Sequence, residues 1–323
     1  MSLDQVTEAG NLYIGGIFTL KRHALLDKAK ITHVLSVLSH AVESDLVKNY
    51  KHLAFILDDV DDEDIVQHFP QSNAFIKEGL DAGGGVLVHC MMGKSRSATL
   101  ICAFLMNQDS TRTPIQALEM IRCCRPIAEP NTGFMEQLEL YYRMGSPDQI
   151  HTQPIYQRWL FERLVSESVQ VGQAPTDIRF EDEVAPSQYS PDIRITCRKC
   201  RRALASSAYL IHHTPKESSA TTKALRASDP ITSMDLVFTK PAVSEQCAHL
   251  FLDPLSWMKE ELEQGKLEGR LECPKCKSNV GKYAWQGLRC TCNAWVVPGI
   301  SLSRSRVDEL KNLPGIRLPH GKI

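Results

Sequence analysis

No apolar run in these 323 residues approaches the ~20 needed to cross a bilayer, so a membrane-spanning role is not expected. The first residues, MSLDQVTEAGN, lack a basic segment followed by an apolar core, so no secretory leader is expected either. Internal repeats are missing apart from recurring cysteine pairs. A soluble intracellular protein is the expectation. What is present is ordinary for such a protein: 43% hydrophobic and 23% charged residues, in a length that predicts two domains.

The net charge of −1 conceals an asymmetry. Residues 1–150 carry 13 basic and 19 acidic side chains, residues 151–192 carry 3 and 7, and residues 193–323 carry 21 and 12. The last segment is therefore +9, which points to a polyanionic partner for it. Cysteine divides as unevenly. Cys90, Cys102, Cys123 and Cys124 lie in the first half and the other seven in the second. Paired Cys-x2-Cys motifs in an intracellular chain read as metal ligands rather than disulfides.

Val86 to Asn107, VLVHCMMGKSRSATLICAFLMN, organises the rest. A short apolar run after Gly83–Gly85 predicts a buried strand, and Ala98, Ile101, Cys102 and Leu105 recur at helical spacing. Between strand and helix, His89 to Ser97 can wrap one phosphate. Successive backbone N–H groups form an anion nest at the positive end of the following helix. A cysteine at its mouth should be a thiolate, and Arg96 has the planar fork that grips two phosphate oxygens.

Cys90-x5-Arg96, with His89, Gly93 and Ser97, resembles the protein tyrosine phosphatase signature in its dual-specificity version. The resemblance implies that Cys90 attacks phosphorus while the amides of Met91, Met92, Gly93, Lys94, Ser95 and Arg96 hold the phosphate oxygens. Ser97 hydrogen-bonds the thiolate, and His89 orients the loop and tunes Cys90 rather than donating a proton. The family's general acid is an aspartate just over thirty residues upstream. Asp59, 31 residues before Cys90, fits best, with its neighbour Asp58 as the alternative. Asn131, Gly133 and Phe134 extend the resemblance and are read as packing behind the loop. Lys94 stands where the family usually has an apolar residue, and it either favours acidic, polyphosphorylated substrates or is a solvated bystander.

Elsewhere the chain alternates as an α/β sheet does. Asn11–Gly16, Ile31–Leu38 and His52–Leu57 are expected strands, the last two of them inner ones. Helices are expected over about 69–82 with Phe75, Ile76 and Leu80 inward, from Thr113-Pro114 to about Cys123, from near Asn131, and around Trp159–Leu164. The fold expected is α/β, a protein tyrosine phosphatase-like sheet flanked by helices over residues 1–150. A helical extension and linker follows over 151–192, its Val171–Asp192 stretch rich in Pro, Ser and acid. A small β-rich zinc-binding domain completes the chain over 193–323.

Cys197-x2-Cys200 and Cys273-x2-Cys276 are knuckles suited to one tetrahedral Zn²⁺. Cys247, Cys290 and Cys292 with a histidine would complete a second structural ion; His212, His213 and His249 are available, and His212 is the choice made. The alternative is one zinc and three ordinary core cysteines. Arg194, Arg198, Lys199, Arg201 and Arg202 surround the first knuckle as a phosphate-contacting patch. The whole pattern, including Arg306–Lys311, resembles the Yvh-type dual-specificity phosphatases. That resemblance implies hydrolysis of phosphoprotein substrates at tyrosine and serine/threonine without a catalytic metal. It also implies zinc-domain binding to a precursor of the large (60S) ribosomal subunit, no membrane partner, and a location in cytoplasm and nucleus. The alternatives are a phosphoinositide or RNA phosphatase, or a pre-ribosome binding factor with incidental activity.

Overall fold

Gly83–Gly85 deliver the chain into β5 (Gly85–Cys90), whose six residues are all buried. A computed structural model describes residues 2–184, 193–211, 213 and 247–311. These fall into two compact units, Met1–Gln157 and Arg158–Ile323.

In the first unit the sheet runs in the order β1-β2-β5-β3-β4. The strands are β1 (Asp4–Gln5), β2 (Leu12–Gly16), β3 (Ile31–Leu38), β4 (Lys51–Ile56) and β5. β2, β5, β3 and β4 are mutually parallel, and β1 adds antiparallel to β2. Parallel strands covered on both faces need continuous apolar runs, which ITHVLSVL and GVLVHC supply. β4 differs from the inner strand expected: it is the sheet edge, and its Ile56 is 66% exposed. Hydrophobicity and length alone do not separate an edge strand from an inner one.

Helices α1 (His23–Lys28), α2 (Ser44–Val47), α3 (Phe69–Asp81), α4 (Arg96–Gln108), α5 (Pro114–Cys124) and α6 (Thr132–Arg143) connect and flank the strands. In α3, Phe75 and Ile76 are buried as expected, whereas Gly79 takes the tight contact and Leu80 is half-buried. A Cβ at Gly79 would lie 2.5 Å from Val86. α5 starts with a capping box between Thr113 and Gln116, and Asn131 caps α6 by accepting from the Phe134 N–H at 2.8 Å. The Thr113-Pro114 start of α5 and the start of α6 next to Asn131 fall where the sequence placed them.

Helix α7 (Pro154–Gln170) contains the unit boundary, and α8 (Glu181–Val184) lies inside the stretch expected to be linker. Phe180 is 4% exposed in the core of the second unit, and Asp182 accepts from the Ser256 backbone N–H at 2.7 Å. The acidic composition hid one aromatic anchor.

The second unit is β-rich. A four-stranded antiparallel sheet has β8 (His249–Phe251), β13 (Gly299–Ser303), β10 (Asn279–Ala284) and β9 (Glu268–Glu272) in that order. A three-stranded sheet has β14 (Val307–Lys311), β6 (Ile193–Cys197) and β7 (Ala203–Ser206) in that order, and β11 (Leu288–Arg289) pairs with β12 (Trp295–Val296). Trp285, Tyr283, Leu271, Ile300 and Leu302 fill its core, with Phe161 edge-on to Trp285. Among the described residues, no helix is long and apolar enough to cross a membrane.

Candidate active site and metal centres

β5 ends at Cys90, the loop turns through Met91–Ser95, and α4 begins at Arg96. The carbonyls of this loop all have partners. Met91 O accepts from Ile17 N (3.2 Å), Lys94 O from Glu129 N (2.9 Å) and Ser95 O from Thr99 N (2.9 Å). Met92 O and Gly93 O are both taken by the Arg125 guanidinium, at 2.6 and 2.5 Å. A trans peptide points its C=O and the next N–H in opposite directions. Tying the carbonyls from Met91 to Ser95 on the outside therefore turns the N–H groups from Met92 to Arg96 to the other side. Such an arrangement has the form of an anion nest.

Gly93 makes the turn. Its φ is +70°, and a Cβ there would lie 2.5 Å from Gly15 O and 2.7 Å from Arg125 Nη2. The start of α4 is left open in the same way. A serine at the N-cap ordinarily fills one helical N–H with its hydroxyl. Ser95 instead donates that hydroxyl to Asp59 Oδ1 at 2.6 Å, and no side chain caps the helix. The first-turn amides stay available to a ligand anion.

Cys90 is 1% exposed. Burial pushes its thiol up, but hydrogen bonds from the Ser97 hydroxyl (3.3 Å) and the N–H groups of Ser97, Lys94 and Gly93 outweigh it. The net result lies below the ordinary thiol value. Beside it, burial drives His89 down to about 4, so its imidazole is neutral near pH 7. His89 Nε2 and His52 Nε2 both meet Ser36 Oγ, at 2.7 and 2.8 Å, and His89 Nδ1 meets Cys90 O at 3.4 Å. His89 belongs to a buried chain that fixes the strand end.

Arg96, 5% exposed, is aimed by Leu57 O (3.0 Å) and Ser39 Oγ (3.3 Å) through Nη1. Its Nε lies 3.5 Å from Asp59 Oδ2 and has no hydrogen-bond partner. Asp59 thus stands over the loop, between Ser95 and Arg96, and accepts a third contact from Asn131 Nδ2 at 3.0 Å. Asp58 is exposed, and its backbone N–H donates to Glu63 Oε2 at 3.4 Å.

The segment carrying Asp59 is itself held by α6. Gly133 packs so closely that a Cβ would lie 1.8 Å from Asp61 O. Gln137 accepts from the Ile65 and Val66 N–H groups (3.0 and 3.2 Å) and donates to Glu63 O (2.7 Å). Asn131, read from sequence as packing, touches Ser95 and Asp59 directly. Arg125 and Gln137 escaped the sequence reading altogether. Their partners lie 32 and about 72 residues away, beyond any local pattern. Lys94 forms a solvent-exposed ion pair with Glu129 at 2.6 Å, so a carboxylate stands beside the positive charge read as favouring acidic substrates.

In the second unit Cys197, Cys200, Cys273 and Cys276 form one cluster, and His213, Cys247, Cys290 and Cys292 form another. Within each, all four ligand atoms lie within 4.8 Å of one another. Metal–sulfur bonds of about 2.3 Å in a tetrahedron place sulfurs about 3.8 Å apart. The observed pairs, Cys197–Cys276 at 3.7 Å and Cys200–Cys273 at 3.5 Å, fit a metal ion. The histidine of the second cluster is His213, its Nε2 3.5 Å from Cys247 Sγ; His212 lies outside the described residues. Each cysteine pair is followed by a residue at positive φ, Arg201, Lys277 and Asn293, whose N–H closes back on the carbonyl of the pair's first cysteine. The backbone is shaped for ligation at all three.

Of the basic residues at the first cluster, Arg198 and Arg201 both pair with Asp308 of β14, and Arg198 also donates to Ser305 O and Val307 O. Those two tie the knuckle to β14 while their side chains stay largely exposed. Lys199 is exposed, and Arg194 and Arg202 are half-exposed.

A protein-family model described as "Dual specificity phosphatase, catalytic domain" matches residues 12–144. The chain is similar to tyrosine-protein phosphatase yvh1 of Schizosaccharomyces pombe, 35% identical over 97% of this chain and 87% of that one. It is also similar to dual specificity protein phosphatase 12 of Homo sapiens, 32% identical over 97% and 90%. Among solved structures, the Yvh1 phosphatase domain from Chaetomium thermophilum is 39% identical, covering 46% of this chain and 100% of that one, with a TM-score of 0.43.

Proposed function

Since this chain belongs to the Yvh1-type dual-specificity phosphatases, we propose that it hydrolyses phosphotyrosine and phosphoserine/threonine in proteins through Cys90. The Cys90 thiolate attacks phosphorus, forming an S–P bond as the P–O bond to the substrate breaks. The N–H groups from Met92 to Arg96 and the Arg96 guanidinium hold the equatorial oxygens as they gain charge. Asp59 gives its proton to the departing oxygen, then as a carboxylate takes one from the water that cleaves the S–P bond. Ser97 steadies the sulfur as it leaves. The observation that carries this reading is the pair of bonds from Ser97 Oγ and Gly93 N to Cys90 Sγ, with Asp59 across the same loop. Turnover of phosphotyrosyl and phosphoseryl peptides by the full chain and by Cys90→Ser tests it; equal rates would overturn it.

The metals are two zinc ions with structural roles, held by Cys197, Cys200, Cys273 and Cys276 and by His213, Cys247, Cys290 and Cys292. Every position of each tetrahedron is filled by protein. The second unit docks on a large ribosomal subunit precursor, in cytoplasm and nucleus. Its +9 charge over residues 193–323, with Lys199, Arg194 and Arg202 presented beside a rigid metal knuckle, supports that role.

A further inference from the structure

The hairpin that carries Cys290 and Cys292 has two unlike faces. β11 and β12 pair antiparallel, with Leu288 opposite Val296 and Arg289 opposite Trp295. Residues directly opposite one another share a face, and the next pair shares the other. One face packs inward: Val296 is 6% exposed and joins Cys247, Cys290 and Phe251 in a small core, with Leu288 against it. The other face is bare. Trp295 is 58% exposed, and Arg289 is exposed beside it. The indole rests against the backbone of Gly287, where a Cβ would lie 2.5 Å from Trp295 Nε1 and 2.8 Å from Val297 Cγ2. Val297, which meets the same glycine, is 41% exposed.

Size and charge decide what such a face can take. A stable protein interface buries about 800 Å² on each partner, and one indole with one valine offers a small fraction of that. An indole does match the face of a single base, and stacking between the two tolerates any base. The sequence around it is cationic. Residues 273–307 contain no aspartate or glutamate, against Lys275, Lys277, Lys282, Arg289, Arg304 and Arg306. Arg304 pairs with Glu309, and Arg306 donates to Asn279 O. Lys275, Lys277, Lys282 and Arg289 are exposed, and among the described residues none of the four is paired with a carboxylate. A flat ring with a cation beside it suits an unpaired nucleotide, base on the ring and phosphate on the cation. The bases of a duplex are stacked on one another and cannot reach it.

We propose that the outer face of this hairpin binds single-stranded RNA, with Trp295 stacking on one unpaired base and Arg289 contacting the adjoining phosphate. For the source of that RNA the inference rests on the docking reading above, which it narrows: the contact is to an exposed loop or end of RNA, not to duplex and not to a protein surface. None of these residues belongs to the basic patch at the first knuckle.

The test is the Kd of the full-length protein for an unstructured RNA of about 12 nucleotides, for the same strand made without bases, and for a duplex of equal length. The intact strand should bind tightest. Trp295→Ala should weaken it by about tenfold, within the usual worth of one stacked base, and leave the baseless strand unaffected. Trp295→Phe keeps a ring, so it should retain most of the affinity and lose the quenching of tryptophan emission that the wild type shows on binding. Arg289→Ala should lower the salt dependence by about one phosphate. Equal affinity of wild type and Trp295→Ala for the intact strand would overturn the proposal, as would quenching undiminished in Trp295→Phe, or wild-type indifference to the bases. Cosedimentation of the full chain with ribosomal precursors is measured in parallel. If it fails while strand binding still depends on Trp295, the docking reading falls and the RNA site stands. If it persists while strand binding ignores Trp295, the RNA site falls and docking stands.

Discussion

Asn131 joins two structures that the sequence keeps 72 residues apart: its Oδ1 caps α6 at Phe134 N, and its Nδ2 donates to Asp59 Oδ1. Removing the side chain should therefore cost both the cap and the aim of the acid. Asn131→Ala is expected to lower stability by about 1 kcal/mol and turnover by about tenfold. The turnover loss should be larger for alkyl phosphates, whose leaving group needs the proton, than for activated aryl phosphates. Rates on the two substrate types, with a thermal melt, check this.

Asp59→Asn should lower turnover of alkyl phosphates by roughly 10²–10⁴-fold, the usual worth of a positioned acid. Asp58→Asn should change little. If the order of the two were inverted, the acid would be the neighbouring residue.

The acid limb of kcat/KM should lie below the ordinary thiol value, because the Ser97 hydroxyl and the loop amides favour the thiolate over its burial cost. The protonated, inactive form grows as pH falls, so weakening those bonds moves the limb upward. Ser97→Ala should lose activity near pH 7 and recover part of it at higher pH. A limb at the same pH in both proteins would contradict the role given to Ser97.

His89 titrates at about 4 when folded and near 6.5 when unfolded, so the unfolded chain binds more protons between those values. Stability should fall as pH drops through that window, by on the order of 3 kcal/mol from this residue. His33, His52 and His68 are lowered too, which makes the difference from His89→Gln the informative measurement. Denaturation of residues 1–157 at pH 7.5 and 4.5 should show a smaller loss in the variant.

Full-length protein should contain about two zinc ions, and His213→Ala should lower that toward one while His212→Ala leaves it unchanged. All four tryptophans lie beyond residue 157, so their fluorescence reports on the second unit. A chelator should expose the buried Trp285 and shift the emission to the red. Charge reversal at Lys199 and Arg202 should weaken cosedimentation with ribosomal precursors and flatten its salt dependence, without this shift. Arg198→Glu should disturb folding, because it breaks the contacts to β14.

The chemistry was legible where it is local. Cys90, Arg96 and Ser97 sit within eight consecutive residues, and β3 is one apolar run with the bounds expected from sequence. Asp59 came from its spacing to Cys90 in a resembling family, not from any pattern around it. Nothing near Arg125 in the sequence reveals that it reaches back to Gly93. The partner of Lys94 is equally remote, and without Glu129 its charge looked available. Choosing between His212 and His213 needed the fold, since adjacent residues offer the same chemistry. The linker was drawn too long because acidic composition outweighed Phe180, a single buried ring.

The contact between Asp4 and Arg125 carries a practical consequence for anyone expressing this protein. Arg125 holds two carbonyls of the catalytic loop, and its remaining arm is anchored by the fourth residue of the chain. Cutting away the first five residues would remove the edge strand β1 and, with Asp4, that anchor. It would also loosen the frame on which the loop amides are hung. Kinetic constants measured on such a sample would describe the loosened loop rather than the intact one.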